Sequence, residues 1–330
     1  MEKPSPRQGE ALVKVAYGGI CGTDMMIYAG KHPRAKAPLV MCHEFSGEIV
    51  EMAADPTDPH LGSIPPAFAV GDRVIIEPTL SCGRCAACVR GQTHVCKQLR
   101  LIGIDSHGGF AEYVTVPLHR LHPVPQKLSA DLAALAEPVA VGVHTIRRSA
   151  LQIGDTAVVL GCGPIGLIVA LLAREAGAAQ VIVSDISPFR LRKAESFGFT
   201  ALDAKKVNVI EEVLARTDGV GADVVFEVAG TEETATQMVA LAKIQGQITV
   251  VSMFKKPPAI DLAAMHFQEK SLTTTRCYTR ADFQHAIRLL AGGDIDFSAL
   301  ISHRMPLEEI GKGFELMQNT ETSLKILIQP

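Results

Sequence analysis

From about residue 150, the chain alternates between short apolar, β-branched runs and amphipathic helical segments. Runs such as AVVLG, QVIVSD and DVVFEVAG are each followed by a helical pattern. Strands that are apolar throughout are typical of a parallel sheet that helices cover on both faces. This part of the chain therefore predicts a doubly wound α/β fold.

The glycine-rich motif GCGPIG, at residues 161–166, directly follows the strand AVVL and opens a helix. Its glycines permit a tight turn, close approach of the backbone to a pyrophosphate and close helix packing, while the helix N-terminus attracts phosphates. A glycine-rich turn without a ligand is the alternative. The residues expected at the dinucleotide are Gly161, Gly163, Pro164, Ile165 and Gly166.

An acidic residue ends the next strand, nineteen residues beyond Gly166. Asp185 is placed to accept hydrogen bonds from both hydroxyls of an adenosine ribose, and its charge would repel a 2′-phosphate. We therefore expect NAD rather than NADP. Arg190 is either a contact of this ribose or an ordinary surface arginine.

The first part of the chain is strand-like and turn-rich. The runs ALVKVAY, FSGEIVEMA, DRVIIEP and AEYVTVP are separated by glycine, proline and charged turns. The proline-rich segment from Asp55 to Gly71 is predicted to be an exposed loop. No repeat is present, and this region does not follow a doubly wound pattern.

Four cysteines within SCGRCAACVRGQTHVC predict a closed metal site. The Cys-x2-Cys-x2-Cys-x7-Cys spacing lets four thiolates converge on one zinc ion, and four protein ligands mark a structural site. Two disulfides or an iron–sulfur cluster are the alternatives. The four residues are Cys82, Cys85, Cys88 and Cys96.

A second, more open set of metal ligands is found in the same region. It comprises Cys21 in GICGTD, His43 and Glu44 in MCHEFSG, and Glu137 in LAEPVAVGVH. Taken singly, each has an ordinary interpretation as a buried thiol, a surface histidine or an acid at a helix start.

Composition excludes several classes of function. A net charge of -3 with interspersed signs gives no indication of a nucleic-acid partner or a polybasic membrane anchor. The charged first twenty residues argue against a signal peptide, and the apolar stretch 157–173 is too short and glycine-broken to span a membrane. Eight cysteines at metal-like spacings predict a reducing cytoplasm.

Together these motifs resemble the zinc-dependent medium-chain alcohol dehydrogenase family, particularly its polyol and threonine dehydrogenase branch. The resemblance implies a Rossmann sheet at 142–276 that binds NAD. This sheet is inserted in a mainly-β, GroES-like catalytic domain formed by 1–141 and 277–330, with the zinc lobe at about 80–100. The resemblance to this family rests on the motifs ICGTD, CHEFSG, VGDRV, the four-cysteine run, GGFAEYV, AEPVAVGVH, GCGPIG and ISHRMPLEEIGKGFE.

By this resemblance, Cys21, His43 and Glu44 would hold a catalytic zinc, with water or substrate oxygen as fourth ligand, giving two zinc ions per chain. One thiolate and one carboxylate neutralise the dication, so the site can stabilise one alkoxide. Direct binding by Glu137 would make the site net negative. We therefore predict that Glu137 faces the metal through water, or replaces a displaced ligand only in the resting enzyme.

The resemblance also implies roles for residues around the metal. Thr23 is expected to begin the path by which the alcohol proton leaves, or else to bond local backbone. Asp24 is expected to orient the metal-bound histidine. Arg276 would hydrogen-bond a second substrate hydroxyl unless it forms a surface salt bridge, and Val251, Ser252 and Met253 would run beside the nicotinamide.

Three features depart from the family pattern. Met26 occupies the position where relatives often carry a proton-relaying histidine, so ribose, water or another base such as His32 must complete the path. Cys42 replaces a glycine before the His-Glu pair and is interpreted as a small buried residue, with a spare ligand or oxidation target as alternatives. The chain also lacks the opening strands usual in relatives, so we expect either that one edge of the catalytic domain is incomplete or that the start of the sequence is misassigned.

These observations predict a dehydrogenase that transfers hydride from a secondary alcohol to NAD. The substrate would be a polyol, a sugar alcohol or a hydroxy amino acid, and the enzyme a homodimer or homotetramer. One alternative is a primary alcohol or formaldehyde-adduct dehydrogenase of the same family. The other is a zinc- and NAD-binding protein with little turnover, which Met26 and the short start would explain.

Overall fold

The computed structural model describes residues 2–53 and 68–330, so most of the predicted loop from Asp55 to Gly71 lies outside the described residues. The chain divides into two compact units. Unit 1 comprises 1–137, 279–319 and 325–330, and unit 2 comprises 138–278 and 320–324. The sequence analysis places two transitions, at 141/142 and 276/277, whereas the structure has them at 137/138 and 278/279 and also assigns 320–324 to unit 2.

Unit 1 is built on a mainly antiparallel, seven-stranded sheet. Its central strand β1 pairs with β2, β6 and β15, and the path across the sheet runs β14-β15-β1-β2-β3-β7. The short pair β4 and β5 forms a separate ladder. The strands of unit 1 are β1 Glu10–Gly19, β2 Phe45–Ala53, β3 Arg73–Ile76, β4 Thr79–Leu80, β5 Arg100–Leu101, β6 Tyr113–Pro117, β7 Leu121–Pro123, β14 Ile301–Pro306 and β15 Lys325–Gln329.

The core of unit 1 lies against one face of this sheet. Alternate residues of β1, including Ala11, Val13 and Val15, pack with Phe45 and Ile328, because successive side chains of a strand point to opposite faces. Short helices border the sheet. They are α1 Gly22–Tyr28, α2 Ala86–Val89, α3 Ala130–Ala133, α10 Arg280–Gly292 and α11 Ile310–Gln318.

Unit 2 confirms the predicted doubly wound sheet. Six parallel strands follow the order β10-β9-β8-β11-β12-β13, so the strand order reverses between β8 and β11. The strands are β8 Thr156–Leu160, β9 Gln180–Asp185, β10 Thr200–Asp203, β11 Ala222–Glu227, β12 Ala242–Val250 and β13 Ser271–Thr274. The helices are α5 Pro164–Glu175, α6 Pro188–Ser196, α7 Val209–Arg216, α8 Glu232–Leu241 and α9 Leu262–Phe267.

Helix α4, Ala136–Arg148, follows Leu135 and carries the AEPVAVGVH motif in its first turns. Helix α10 begins with a capping box, in which the Thr279 hydroxyl accepts from the Asp282 amide and the Asp282 carboxylate accepts from the Thr279 amide. Within the described part of the chain, no helix is long and apolar enough to cross a membrane.

Candidate active site and cofactor site

The four-cysteine lobe of unit 1 brings its sulfur atoms together as the spacing predicts. All four Sγ atoms lie within 4.8 Å of one another, and Cys85 Sγ is 3.5 Å from Cys88 Sγ and 3.9 Å from Cys96 Sγ. Four thiolates around zinc at about 2.3 Å would be about 3.8 Å apart in a tetrahedron. All four cysteines are free, so the disulfide alternative is wrong.

Backbone amides favour the thiolate form of two cysteines of this lobe, Cys82 and Cys85, whereas burial raises the pKa of Cys88 to about 11. Amide groups of Cys88 and Lys97 lower the pKa of Cys85 to about 6, and those of Arg84 and Cys85 lower the pKa of Cys82. Cys96 Sγ accepts from the amides of Cys82 and Gln98, both at 3.3 Å. Since zinc binds thiolates rather than thiols, the lobe fits this metal.

The second ligand set also converges. One ligand atom each from Cys21, His43 and Glu44 lies within 4.8 Å of the other two. Cys21 stands directly before α1, while His43 and Glu44 directly precede β2. The Gly19 amide donates to the Glu44 carbonyl at 2.7 Å, which joins the end of β1 to this segment. One thiolate, one imidazole and one carboxylate form a three-ligand set of the kind that leaves a fourth position on zinc open.

Asp24 is fully buried beside this set. Its carboxylate accepts from the amides of Cys21 at 2.9 Å and Cys42 at 3.3 Å, and it lies 3.8 Å from His43 Nδ1. Burial raises the pKa of Asp24, with the His43 charge acting in the opposite direction. His43 Nδ1 has no hydrogen-bond partner among the described residues. Asp24 is therefore adjacent to the imidazole, but the distance exceeds that of a hydrogen bond.

The anionic groups outnumber the cations around His43. Burial alone would lower the pKa of His43, yet the charges of Cys21 and Asp24 raise it well above its ordinary value. Glu137 contributes in the same direction. A cation bound among these groups would relieve their mutual repulsion, so the charges of the site, as well as its donors, fit a zinc ion.

A buried lysine that the sequence analysis did not identify completes the site. Lys325, the first residue of β15, is 3% exposed, and its Nζ donates to Glu44 Oε2 at 2.6 Å and to the Ile20 carbonyl at 3.1 Å. Burial would lower the pKa of Lys325, but the charges of Glu44 and Cys21 outweigh it and raise the pKa. Lys325 therefore carries a positive charge beside the ligand set.

The other residues predicted around the metal are found in unit 1. Glu137 is buried, and its charge raises the pKa values of both His43 and Lys325, but it does not belong to the converging set of Cys21, His43 and Glu44. Thr23 lies in the first turn of α1 and is partly buried, as is Met26. The water-mediated role of Glu137 and the proton-relay role of Thr23 stay predictions.

Cys42 faces the core rather than the ligand set. Its thiol is fully buried and lies 3.4 Å from the Glu44 carbonyl, and its backbone has φ of 87°. A left-handed conformation favours glycine, the residue that relatives generally carry here by the resemblance. Burial raises the pKa of this thiol well above its ordinary value. These features agree with the interpretation of Cys42 as a small buried residue.

In unit 2, the glycine-rich turn has the geometry of a dinucleotide fingerprint. Gly161 has φ of 105°, and Gly163 is the N-cap of α5 with Pro164 as its first residue. A Cβ on Gly166 would overlap the Gly161 carbonyl, so only glycine fits there. A Cβ on Gly163 would meet nothing closer than Arg190 Nη1 at 3.7 Å. This open approach to the helix N-terminus suits a pyrophosphate.

Asp185 ends β9 beside this turn. Its Oδ2 accepts from the Cys162 amide at 2.7 Å, and its Oδ1 accepts from the amides of Ile186 and Ser187 at 2.8 and 2.9 Å. Oδ2 keeps a second lone pair for a ribose hydroxyl, whereas the two amides occupy both lone pairs of Oδ1. The guanidinium of Arg190 reaches toward Gly163, so it lies at the turn rather than away from it.

The residues predicted near the nicotinamide follow β12. Val251 and Ser252 are partly buried, and Met253 is 69% exposed. Arg276, just after β13, is exposed. The sequence analysis missed Glu227, a fully buried acid at the end of β11 that accepts a hydrogen bond from Ser252. The sequence around Glu227 offered a single indication of this role, namely one acidic residue within the apolar run VVFEVAG.

Comparison with known proteins agrees with both sites. Residues 7–126 match the family model described as alcohol dehydrogenase GroES-like domain, and residues 164–292 match the model described as zinc-binding dehydrogenase. The first range contains the four-cysteine lobe and the three-ligand set, and the second begins within the glycine-rich turn, at Pro164.

Relatives match over nearly the whole chain. A 2-dehydro-3-deoxy-L-galactonate 5-dehydrogenase of Pseudoalteromonas atlantica is 37% identical over 98% of this chain and 93% of its own. An L-threonine 3-dehydrogenase of Bacillus subtilis is 37% identical over 99% and 94%. The crystal structure of 2R,3R-butanediol dehydrogenase from Bacillus subtilis is 32% identical, with a TM-score of 0.90 over 100% and 95% of the two chains. The chain therefore belongs to the zinc-dependent medium-chain alcohol dehydrogenase family and is an enzyme.

Proposed function

We propose that this enzyme oxidises a secondary alcohol with a polar group on the neighbouring carbon, using NAD as hydride acceptor. In the balanced reaction, the alcohol loses a hydride and a proton, NAD⁺ becomes NADH, and the product is a ketone. Threonine and 2,3-butanediol, named for two relatives, both have this arrangement of groups. Polyols, sugar-derived alcohols and hydroxy amino acids share it.

The convergence of Cys21 with the buried His43 and Glu44 in a three-ligand set carries this proposal. When bound, zinc supplies a Lewis acid that lowers the pKa of a coordinated alcohol. The residues around it hold the ligands in place. Asp24 fixes the backbone before α1 through the Cys21 amide, and Lys325 holds one oxygen of Glu44.

Lys325 changes the charge balance on which the role of Glu137 depends. With this cation included, zinc, the Cys21 thiolate and the carboxylates of Glu44 and Glu137 would sum to zero, leaving aside Asp24. Direct coordination by Glu137 would therefore not make the site net negative. We retain the water-mediated role for Glu137 as a proposal, supported by its absence from the converging set.

The proton of the alcohol leaves through groups of α1 and solvent in this proposal. Thr23 stands two residues after the Cys21 ligand and is the hydroxyl proposed to accept first. Met26 has no proton to relay, so a ribose hydroxyl with water, or another base such as His32, continues the path in this proposal. Arg276 is proposed to bind a second polar group of the substrate, and its exposure leaves its guanidinium available.

The preference for NAD is supported by Asp185. Its carboxylate lies at the glycine-rich turn, where a 2′-phosphate would meet a like charge. We propose that Arg190 contacts the same ribose, and that Val251, Ser252 and Met253 run beside the nicotinamide.

One assay tests the proposed function. Purified enzyme of measured zinc content is given NAD or NADP together with polyols, threonine, sugar-acid alcohols or simple primary alcohols, and NADH or NADPH formation is followed. We expect turnover with NAD and a vicinally substituted secondary alcohol. Preferential turnover of primary alcohols or formaldehyde adducts would support the rival dehydrogenase, and binding of NAD without turnover of any alcohol would contradict the proposal.

We further propose a homodimer or homotetramer in a reducing compartment. Strand β13 is the edge of the unit 2 sheet, and its neighbourhood exposes Phe267 and Leu272. An unpaired edge with apolar neighbours favours pairing with a second copy. None of the eight cysteines forms a disulfide, which favours a reducing compartment. Light scattering after size-exclusion chromatography would show a monomer if the assembly is wrong.

A further inference from the structure

Glu227 joins two loops at the carboxyl edge of the unit 2 sheet. It is the last residue of β11 and is 0% exposed. Its Oε1 accepts from the Gly230 amide at 2.7 Å, the Ala229 amide at 3.1 Å and the Thr234 hydroxyl at 2.8 Å. Its Oε2 accepts from the Ser252 hydroxyl.

The backbone of Glu227 strengthens the same connection. Its carbonyl accepts from the amides of Val251 at 2.9 Å and Ser252 at 3.2 Å. One residue therefore holds the loop at 228–230 through its side chain, and the loop at 251–253 through side chain and backbone together. No ion pair of Glu227 occurs within the described part of the chain, so hydrogen-bond donors alone compensate its burial.

Glycines allow these loops to approach each other and the dinucleotide turn. Gly230 has φ of 70°, and a Cβ there would lie 3.2 Å from the Cβ of Ser252. A Cβ on Gly161 would lie 3.2 Å from the Cβ of Ala229. The loop at 228–230 is thus packed between the glycine-rich turn and the loop at 251–253.

Strand order shows which half of a dinucleotide these loops would face. Ligands of doubly wound sheets bind outside the carboxyl ends of the strands, across the point where strand order reverses. Asp185 places the adenosine half over the end of β9, and the turn after β8 takes the pyrophosphate. The other half must then extend over β11 and β12, where the two loops lie.

We propose that Glu227 is a positioning residue for the nicotinamide half of the dinucleotide, because it holds the loops at 228–230 and 251–253 together as one wall of that subsite. This inference rests on the proposed use of NAD. It predicts that Glu227 affects the affinity for the nicotinamide riboside portion and leaves the affinity for the adenosine diphosphate portion unchanged.

Calorimetric titration of the zinc-loaded enzyme with NAD⁺ and with ADP tests the proposal, since ADP lacks the nicotinamide and its ribose. We expect Glu227→Ala to weaken NAD⁺ binding by about tenfold or more, as loss of several hydrogen bonds to a charged group implies. ADP binding should change by less than about twofold. Glu227→Gln should restore most of the NAD⁺ affinity, because its amide oxygen can accept in place of Oε1 and its NH₂ can donate to Ser252.

Asp223→Asn is the matched control. Asp223 lies on the same strand at the opposite edge of the sheet, accepts from the Thr156 amide at 2.7 Å and pairs with Lys243. The Asp223→Asn variant should have a lower melting temperature than the wild-type enzyme, without a change in the ratio of NAD⁺ to ADP affinity. If Glu227→Ala does not fold, Ser252→Ala replaces it, with an expected NAD⁺ weakening of about threefold and no change for ADP.

The outcomes separate this inference from the proposed function. Equal weakening of NAD⁺ and ADP, or unchanged NAD⁺ affinity, in the folded variant would overturn the positioning role. Failure of the wild-type enzyme to bind NAD⁺ would instead contradict the proposed function itself. Failure of Glu227→Gln to restore affinity would also contradict a role based on hydrogen-bond geometry.

Discussion

The two sets of metal ligands in unit 1 differ in composition and surroundings. The four-cysteine lobe consists of one ligand type, two of its members are partly exposed, and backbone amides stabilise the thiolates of those two, Cys82 and Cys85. The three-ligand set is mixed, its imidazole and carboxylate are almost fully buried, and the charged side chains of Asp24 and Lys325 surround it. Both sets would hold zinc, yet only the second leaves a coordination position for a substrate.

This difference shows how one metal can serve two purposes. Four thiolates satisfy zinc completely, so the lobe contributes stability and no reactivity. A buried set with three ligands makes an exchangeable position, but it must compensate several charges without water. The buried cation of Lys325 is part of that compensation and has no counterpart in the lobe.

Removing a ligand of the open set should have the largest effect. Cys21→Ser should lower kcat/KM by about 1000-fold or more, because Lewis-acid stabilisation of the alkoxide is worth several kcal/mol. Elemental analysis should show the loss of one zinc ion while the lobe keeps its own. Cys277→Ser, at a cysteine of unit 2 outside both ligand sets, serves as the control and should keep both activity and zinc. Unchanged zinc and activity in Cys21→Ser would contradict the assignment of the open set.

Removing a ligand of the lobe should affect stability rather than chemistry. Cys96 is buried and its sulfur accepts two backbone amides, so Cys96→Ser should release the lobe zinc. Structural zinc sites contribute folding free energy directly, so we expect a loss of about 5 kcal/mol or more, measured by denaturant unfolding. Activity per zinc-loaded molecule should persist at low temperature. A stable variant with abolished turnover would show that the lobe is not merely structural.

The role of Lys325 can be separated from that of the metal. Lys325→Met should destabilise zinc-free protein by about 3–5 kcal/mol, because it leaves the buried Glu44 carboxylate without a cation. Zinc should reduce this loss, since the metal also compensates Glu44. Denaturant unfolding of the zinc-loaded protein, and of the zinc-free protein prepared with chelator, measures how far zinc reduces the loss of stability. Lys325→Arg should retain most of the stability, and an equal loss in both forms would show that Lys325 and zinc act independently.

Sequence motifs predicted the parts of the sites that are local in the chain. The cysteine spacing, the His43-Glu44 pair and the GCGPIG turn each lie within one short segment. Lys325 lies 281 residues from Glu44 and reaches it only because β15 pairs with β1. Nothing in SLKILI distinguishes it from an exposed strand lysine. Glu227 was missed for a similar reason, because its partners come from two loops that only the sheet brings together.

Glu77 is a buried carboxylate like Glu44, but it lies outside both ligand sets and is compensated by side chains alone. Glu77 is buried and bonds to Arg120 at 2.7 Å, His122 at 2.9 Å and Arg280 at 3.2 Å. Burial raises its pKa, but the His122 hydrogen bond and the two arginines outweigh burial and lower it. Burial also lowers the pKa of His122, which the Glu77 hydrogen bond offsets only in part.

Because the pKa values of Glu77 and His122 are both lowered in the folded protein, unit 1 becomes less stable as the pH falls. The unfolded chain protonates its histidine near 6.5 and its glutamate near 4.5, in each case before the folded chain does. Stability is therefore lost as pH falls below 6.5 and again below 4.5. Glu77→Gln should cost about 1.5–3 kcal/mol at neutral pH and flatten this dependence, measured by urea unfolding across pH. Asp131→Asn, at the more exposed pair with Arg304, should cost under about 1 kcal/mol.

The smallest effect is expected at Cys42, a thiol adjacent to the open set that points away from it. Cys42→Gly should change the free energy of unfolding by less than about 1 kcal/mol, because relief of the left-handed backbone offsets the lost thiol contacts. Cys42→Ala keeps the unfavourable φ and loses the same contacts, so it should be less stable than the glycine variant by about 1 kcal/mol. This order reverses the usual preference for alanine over glycine. If both variants lose a zinc ion, Cys42 is a ligand after all.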